Sequence, residues 1–376
     1  MIINVDTAPT YVKKTCKSST NGFPYFVYTL ENEFLPNNEV NNRYYRSIIQ
    51  NASTQSVLSI APSKSMPFDE FLINYIDEEV RVTNIIEGTM INLFYIDGWE
   101  IATRNSMGGN YHYFRTQYDG ISANESQPTF KQMFLEAIGY ADLNDLPNLD
   151  KSICYSFVLQ HPLNHIVLNI DKPRAVLVSA YKLTNHDSCK CNVEFIDIYT
   201  YKSFYNVPTE EFSGILDSGF ERYKNNDNEV GFMITHMKTG MRTTMYSSKY
   251  MELKLLRGNN PNLHYQYLVL RKVNKVQDFL HYFPQYSEHF KEFKRHFELY
   301  STRLHKLYLD VHVLKVMSLD KITDKRDKYH VEKMHYQVFI PMVKQYIANG
   351  KTGMKPKITR SKVMEYLDNA NVFVPF

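Results

Sequence analysis

The stretch Asn84–Ser106, NIIEGTMINLFYIDGWEIATRNS, contains the local pattern that decides the fold. Glu87 and Gly88 precede an alternating apolar and polar run, an Asp-Gly pair marks a tight turn, and a second run leads to Arg104. Alternation on both sides of an Asp-Gly pair is typical of a β-hairpin. Gly88 is expected at a position where the backbone turns or approaches another strand closely.

Short runs of β-branched and aromatic residues, bounded by Asn, Asp, Gly or Pro, recur through the first 274 residues and predict strands. Because they cluster without regularly alternating helices, they predict an α+β fold with antiparallel sheets. One amphipathic helix is expected over Thr129–Tyr140. The predicted strands are Tyr25–Leu30, Val57–Ala61, Met90–Tyr95, Glu100–Thr103, Ile153–Leu159, Ile166–Ile170, Ala175–Ala180, Val193–Ile198 and Gly231–Thr235.

From Val276 onward, apolar residues recur every three or four positions, which predicts helices. Ser287 is expected to cap the longest helix, and Pro341 to kink or break the next one. The chain should therefore comprise a domain over 1–274 and a small helical domain over 275–376. The expected helices run over 290–314, 331–347 and 362–367.

The helical C-terminal part is basic. Residues 275–376 contain 18 Lys and Arg against 11 Asp and Glu, whereas the rest contains 25 against 29. This asymmetry favours an anionic partner such as nucleic acid, although a solvated basic helix face gives the same pattern.

Cysteine content and hydropathy predict a cytoplasmic protein in a reducing compartment. Four cysteines in 376 residues do not make a disulfide framework, and no stretch approaches 18 apolar residues. The segment His186–Cys191, HDSCKC, lacks the second ligand pair that a structural zinc site needs, so we expect a polar loop and no metal. Abundant Asn, Ile, Lys and Tyr fit A+T-rich coding DNA, as in some large viruses.

Seven segments occur in order between residue 45 and about residue 255: Tyr45–Ile49, Ala61–Lys64 with Phe68, Glu87–Thr89, Arg104, Phe157–Leu168, Val230–Phe232, and Thr244–Tyr246 with Tyr250. In this order they resemble the motifs of the phage-type RNA ligases, which belong to the covalent nucleotidyltransferase superfamily. The Phe157–Leu168 segment carries most of the resemblance.

The resemblance implies a nucleotidyltransferase domain, ATP-grasp-like or RNA-ligase-like, with antiparallel sheets, flanking helices and a helical C-terminal domain. The chemistry that it implies is attack of a lysine on the α-phosphate of ATP, transfer of AMP to an RNA 5′-phosphate, and displacement by a 3′-hydroxyl, with Mg²⁺ as cofactor. The implied nucleotide- or RNA-phosphate-binding residues are Arg46, Lys64, Glu87, Gly88, Arg104, Asn164 and Gly231.

The sequence departs from this pattern where the chemistry would occur. The nucleophile position is Ile85, and the metal carboxylates are replaced by Val158 and Val230. Thr244 and Tyr246 replace a pair of lysines, and no lysine occurs between positions 64 and 131. An alkyl group is no nucleophile, and valine cannot ligate a metal. Joint loss of acids and bases predicts a pocket re-packed as core, with Ile85 and Tyr246 filling it.

Three hypotheses follow. The first is a catalytically inactive ligase homologue, a pseudoenzyme that acts in RNA binding or macromolecular assembly with RNA or a protein as partner. The second is an active ATP-dependent RNA ligase with Lys64 as the fallback amine, which would need ATP and Mg²⁺. The third is a structural subunit of a particle or complex.

Overall fold

A computed structural model describes the chain except residues 20–21, 31–39, 112–127, 147–148, 165, 187–188, 225–227, 259, 261, 351–352, 354–355 and 371–376. The described residues divide into two compact units. The first unit comprises 1–111 with 128–257, and the second comprises 258–370. These units do not test whether residues 1–274 and 275–376 fold independently, so the predicted domain boundary between 274 and 275 stays a prediction.

All regular strands of the described residues lie in the first unit. Every pairing between them is antiparallel, as predicted for an α+β fold. The strands are β1 Ile2–Asn4, β2 Val12–Ser18, β3 Pro24–Leu30, β4 Ile48–Asn51, β5 Val57–Ile60, β6 Glu79–Asn84, β7 Thr89–Tyr95, β8 Trp99–Ala102, β9 Ile153–Gln160, β10 Arg174–Asn185, β11 Lys190–Ile196, β12 Glu210–Ile215, β13 Gly231–His236 and β14 Arg242–Tyr246.

These strands form three sheets. A six-stranded sheet has the order β1-β11-β10-β9-β7-β8, and two four-stranded sheets have the orders β12-β6-β13-β14 and β2-β3-β4-β5. The hairpin predicted from the Asp-Gly pair is confirmed, since Tyr95 pairs with Trp99 across the turn. All residues of β9 are buried, because neighbouring elements cover both of its faces.

Helix α2, Phe130–Ile138, covers one face of the six-stranded sheet. The Phe134 and Phe157 rings meet at 5.4 Å, and the side chain of Ser59, in the β2–β5 sheet, lies 3.3 Å from the Cys154 sulfur on the other face. Thr129 and Gln132 form a reciprocal capping box that fixes where α2 begins. The other helices of this unit are α1 Phe68–Tyr75 and α3 Ser248–Arg257.

The strand predicted over Ile166–Ile170 is wrong. Residues 166–168 form a bend, and 169–170 belong to no strand. The amides of Val167 and Leu168 donate to the carboxylate of Glu87 and not to a neighbouring strand. This apolar run was wrongly predicted as a strand, because the carboxylate of Glu87, which is distant in sequence, accepts its backbone N–H groups.

The second unit is helical, as predicted. Its longest helix buries Phe290, Phe293, Phe297 and Leu304 on one face. The helices are α4 Leu263–Lys272, α5 Val276–Tyr282, α6 Ser287–Tyr308, α7 Lys325–Met334, α8 Ile340–Ala348 and α9 Arg360–Asn369. No described helix combines the length and the apolar character that crossing a bilayer requires.

Two helix ends differ from the predictions, and one predicted interruption is confirmed. Regular helix stops at Tyr308 and continues as a π turn, which leaves Leu314 exposed. Ser287 begins α6 without a capping bond, so that predicted cap is wrong. Pro341 does interrupt a helix: it lies in the first turn of α8, after a second π turn.

We expect acid to destabilise the second unit through His264. Burial first, and the neighbouring His296 second, lower the pKa of the His264 imidazole to about 4. The unfolded pKa is about 6.5, so the unfolded chain binds more protons between these values, and stability falls as pH falls. Through this group, lowering the pH from 7.5 to 5 should reduce the free energy of unfolding by about 2 kcal/mol.

Urea unfolding followed by circular dichroism at both pH values tests this. In His264→Phe the change in the free energy of unfolding between the two pH values should be smaller by about 2 kcal/mol. His281 is exposed, so His281→Phe should leave the change as it is in the wild type. Equal pH dependence in the wild type and in His264→Phe would contradict the assignment.

Candidate functional site

A cleft of about 1360 Å³ opens in the first unit. Its walls come from segments that are distant in sequence: strands β6, β10, β13 and β14, helix α3, and the loops 62–65, 85–88 and 103–106. Segments attached to all three sheets therefore contribute side chains to the same cleft.

The cleft brings together most of the residues singled out from the sequence. Asn164 and Gly231 lie outside its lining, as does Val230, which is buried. The candidate binding residues that line it are Arg46, Lys64, Glu87, Gly88 and Arg104. The substituted positions that line it are Ile85, Val158, Thr244 and Tyr246.

Ile85 occupies the position where the resemblance implies a nucleophile. Its N–H donates to the carbonyl oxygen of Gly231 over 2.9 Å, which extends the pairing of β6 with β13 by one residue. Its side chain is half-buried. An alkyl side chain offers no lone pair to a phosphorus atom.

The expectation that Ile85 and Tyr246 fill the pocket is wrong. Both side chains line a cleft that retains about 1360 Å³. The physical reason is that charged side chains line the same cleft, and closing it would remove them from water at a cost in solvation free energy.

Glu87 is a structural residue in this geometry. It is 5% exposed, and its Oε1 accepts the N–H groups of Val167 at 2.9 Å and Leu168 at 3.0 Å. Beside it, Asn164 Nδ2 donates to Thr89 Oγ1 at 2.8 Å. These bonds tie the segment after β9 to the segment before β7. Glu87 and Asn164 therefore hold one wall of the cleft in place.

Two glycines allow the backbones around the cleft to approach. Gly88 has φ +155°, and a Cβ there would lie 2.3 Å from the Leu159 carbonyl oxygen. Gly231 has φ +135°, and a Cβ would lie 2.1 Å from the Met245 carbonyl oxygen. Both positions therefore exclude a side chain. This explains the two glycines without any contact to a ligand.

The lining of the cleft is strongly cationic. Among the described lining residues the one acid is Glu87. Arg81 is neutralised by Asp197 and Glu210, with its Nε 2.7 Å from a Glu210 oxygen. The lining cations are Lys17, Arg46, Lys64, Arg81, Arg104, Arg242 and Lys254. This imbalance attracts an anion.

Arg46 lies close enough to Arg104 and Arg242 for their like charges to act on it. Burial first, and then the charges of Arg242 and Arg104, lower the pKa of the Arg46 guanidinium to about 10. Arg242 is 7% exposed, and burial also lowers its pKa. Its Nε donates to the carbonyl oxygen of Ser63 at 2.8 Å. No described acid lies within 4.0 Å of any of the three guanidinium groups.

Aromatic rings accompany the cations. Tyr246 and Tyr250 stack with ring centroids 5.6 Å apart and planes inclined by 15°. The ammonium of Lys254 lies 4.9 Å from the Tyr246 ring centroid. Burial raises the pKa of Tyr250, and the adjacent Glu87 raises it further, so the Tyr250 phenol stays neutral at neutral pH and offers an uncharged surface for packing. A cation beside stacked rings is typical of nucleic-acid contacts.

The cleft does not fit a divalent cation. Val158 and Val230 stand where the resemblance implies metal carboxylates, and one oxygen of Glu87 is committed to two amides. The described residues contain no group of three or more His, Cys, Asp or Glu side chains placed to hold a metal ion. The cationic and aromatic lining does fit a phosphate-bearing ligand.

Sequence reasoning missed Arg242 and Lys254. Arg242 is two residues before Thr244 on β14, so strand alternation places both side chains on the same face. That signal was present in the sequence. Lys254 lies on α3, four residues after Tyr250, which is one helical turn.

We expect Gly88→Ala to destabilise the first unit by about 3 kcal/mol, because a methyl group would clash with the Leu159 backbone. Gly139→Ala is the matched control: Gly139 has φ +75° but open space around its Cβ, so the loss should be about 1 kcal/mol. Urea unfolding followed by Trp99 fluorescence measures both. Equal losses would refute the close-approach role.

No family model matches the chain. An RNA ligase of Rhodothermus phage RM378 is 26% identical over 101 residues, which span 26% of this chain. The match covers 22% of the phage protein, about a fifth of its length.

Two solved ligase structures show low structural similarity to this chain. The Naegleria gruberi RNA ligase with PPi gives a TM-score of 0.36 at 10% identity, covering 51% of this chain and 57% of that one. A putative ATP-dependent DNA ligase from Aquifex aeolicus gives a TM-score of 0.40 at 9% identity, covering 91% and 78%. The sequence match confirms the resemblance to a phage RNA ligase, and the chain is an RNA-ligase-like protein.

Proposed function

We propose that this RNA-ligase-like protein has lost covalent nucleotidyl transfer and binds single-stranded RNA in the cleft of its first unit. The observation that carries the proposal is one cleft lined by seven cations and one acid, with Ile85 at the nucleophile position. The fold alone does not fix this role, so the argument rests on the cleft.

Loss of transfer follows from the side chains. Adenylation needs an amine that attacks the α-phosphate and carboxylates that hold a divalent metal. Ile85 and Val158 line the cleft in their place and supply neither group. Thr244 and Tyr246 stand where two lysines would counter the developing negative charge. Replacing these groups together removes the contributions that they would make to the transition state.

RNA binding is supported by the groups that are present. Cations that track phosphates and rings that stack on bases are the two components of sequence-tolerant single-strand binding. Lys254 beside the stacked Tyr246 and Tyr250 combines both in one place. RNA is favoured over a protein partner because the cations of this lining far outnumber its acids.

The basic charge of the helical part gives weaker support for an RNA contact there. Many of its cations pair with acids close by, including four pairs at i,i+3 spacing. Such pairs leave less unbalanced charge than the net count suggests. The pairs are Lys275–Asp278, Lys291–Glu288, Arg295–Glu292, Lys362–Glu365, Lys328–Asp320, Arg271–Asp368 and Arg303–Asp327.

A second candidate is an active ATP-dependent ligase, favoured by one observation: Lys64 is an amine in the cleft. Its backbone N–H donates to the Arg43 carbonyl oxygen at 2.9 Å, which anchors this loop. This candidate would need ATP and Mg²⁺, and the carboxylates for the metal are replaced by valines.

We expect no covalent AMP adduct when the purified protein is incubated with α-labelled ATP and Mg²⁺, because no amine stands at position 85. The readouts are acid-labile label on a gel and intact mass, with an active RNA ligase as positive control. A labelled lysine would contradict the proposal. Loss of that label in Lys64→Gln would then support the active alternative.

We expect Lys254→Gln to weaken binding of a fluorescent single-stranded RNA several-fold and to reduce the salt dependence by about one phosphate contact. Lys249→Gln is the matched control, because Lys249 is an exposed lysine of the same helix outside the cleft lining. Fluorescence anisotropy over a salt series measures both. No RNA binding, with partner proteins co-purifying, would favour the structural-subunit hypothesis.

A further inference from the structure

We infer that Arg46, Arg104 and Arg242 form a phosphate subsite that holds its ligand without a divalent cation. This deepens the proposed function and rests on it, since it states how the cleft neutralises the phosphates of a bound RNA. The subsite would take a terminal phosphate or a backbone phosphodiester, which share the same oxygen chemistry.

Arg46 lies near two like charges in the cleft lining. Arg46 is close enough to Arg104 and Arg242 that their charges make its protonated form less favourable. All three side chains line the same cleft. Like charges assembled without counter-charges are unfavourable in the protein alone, and a bound anion would relieve the repulsion.

Arg242 is a buried cation. It is 7% exposed, and its bonded partner is the neutral carbonyl oxygen of Ser63. Tyr44 and Tyr181 also lie near it, and they are neutral because burial raises their pKa values. A buried guanidinium is ordinarily paired with an acid. Here the described surroundings supply none, which leaves the ligand to provide the negative charge.

Among the described residues, the cleft lining lacks the carboxylates that would hold a divalent metal. They are replaced by valines, and the one acid in the described lining, Glu87, already accepts two backbone amides. A divalent cation would also add charge to a lining that is already positive. Guanidinium groups offer planar donor pairs that match phosphate oxygens. The arginines therefore supply the neutralisation that a metal supplies elsewhere.

Binding of inorganic tripolyphosphate tests the subsite. We expect calorimetry to give the same affinity in EDTA and in Mg²⁺-free buffer without chelator. Arg104→Gln should weaken binding tenfold or more. Arg104 is exposed, so this variant avoids a loss of folding. Arg174→Gln, an exposed arginine outside the lining, is the matched control and should bind as the wild type does.

Binding that is abolished by EDTA, or that is unchanged in Arg104→Gln, would overturn the inference. RNA oligonucleotides with a 5′-phosphate or a 5′-hydroxyl separate the two phosphate sources: a selective loss of the phosphorylated form in Arg104→Gln assigns the terminal phosphate. Equal loss of both forms assigns the backbone.

The same measurements separate this inference from the proposed function. RNA binding that Lys254→Gln weakens and Arg104→Gln leaves unchanged would overturn the subsite and leave RNA binding standing. Tripolyphosphate binding that depends on Arg104, with no RNA binding, would overturn the proposed function and leave the subsite standing.

Discussion

The carboxylate of Glu87 is the interaction on which the rest of the site depends. By accepting the amides of Val167 and Leu168, it fixes the segment after β9 against the start of β7. A carboxylate that accepts several backbone amides makes charge-assisted bonds, which are stronger than neutral ones. The adjacent Gly88 lets the two backbones meet without a side chain between them. This wall gives the cleft its shape.

Shape and chemistry are carried by different residues in this protein. Glu87, Gly88 and Gly231 act through backbone geometry, and all three occur where a nucleotidyltransferase frame would place them. Ile85 and Val158 occupy positions where that frame needs reactive or charged atoms. The hydrogen bonds and close contacts of this wall are therefore kept while Ile85 and Val158 carry alkyl groups. Under the proposed function, the cationic lining gives the cleft a use in binding.

The sequence predicted elements well where local signals were strong. The Asp-Gly hairpin, the capped helix α2 and the aromatic face of α6 each depend on neighbouring residues. Strands β1, β2, β4, β6, β12 and β14 were not predicted. The edge strands β2 and β12 are polar, and the two partners of β6, β12 and β13, lie more than a hundred residues away. Pairing at that separation leaves little local trace.

The sequence predicted which residues lie in the cleft better than it predicted that the cleft stays open. The ordered motifs indicated Arg46, Lys64 and Arg104, which share the cleft. The open volume was not predictable, because uncharged residues at five motif positions say nothing about the cations that other strands contribute to the cleft. Arg242 shows this: its face on β14 is evident from alternation, but its nearness to Arg46 depends on how separate sheets meet.

The most direct test of the central claim is a crystal structure of the protein with a 5′-phosphorylated single-stranded RNA, grown in the presence of EDTA. The account predicts RNA in the cleft of the first unit, with a phosphate against Arg46, Arg104 and Arg242 and no AMP on any lysine. RNA bound only by residues 258–376, or a cleft closed by Ile85 and Tyr246 in the complex, would contradict it.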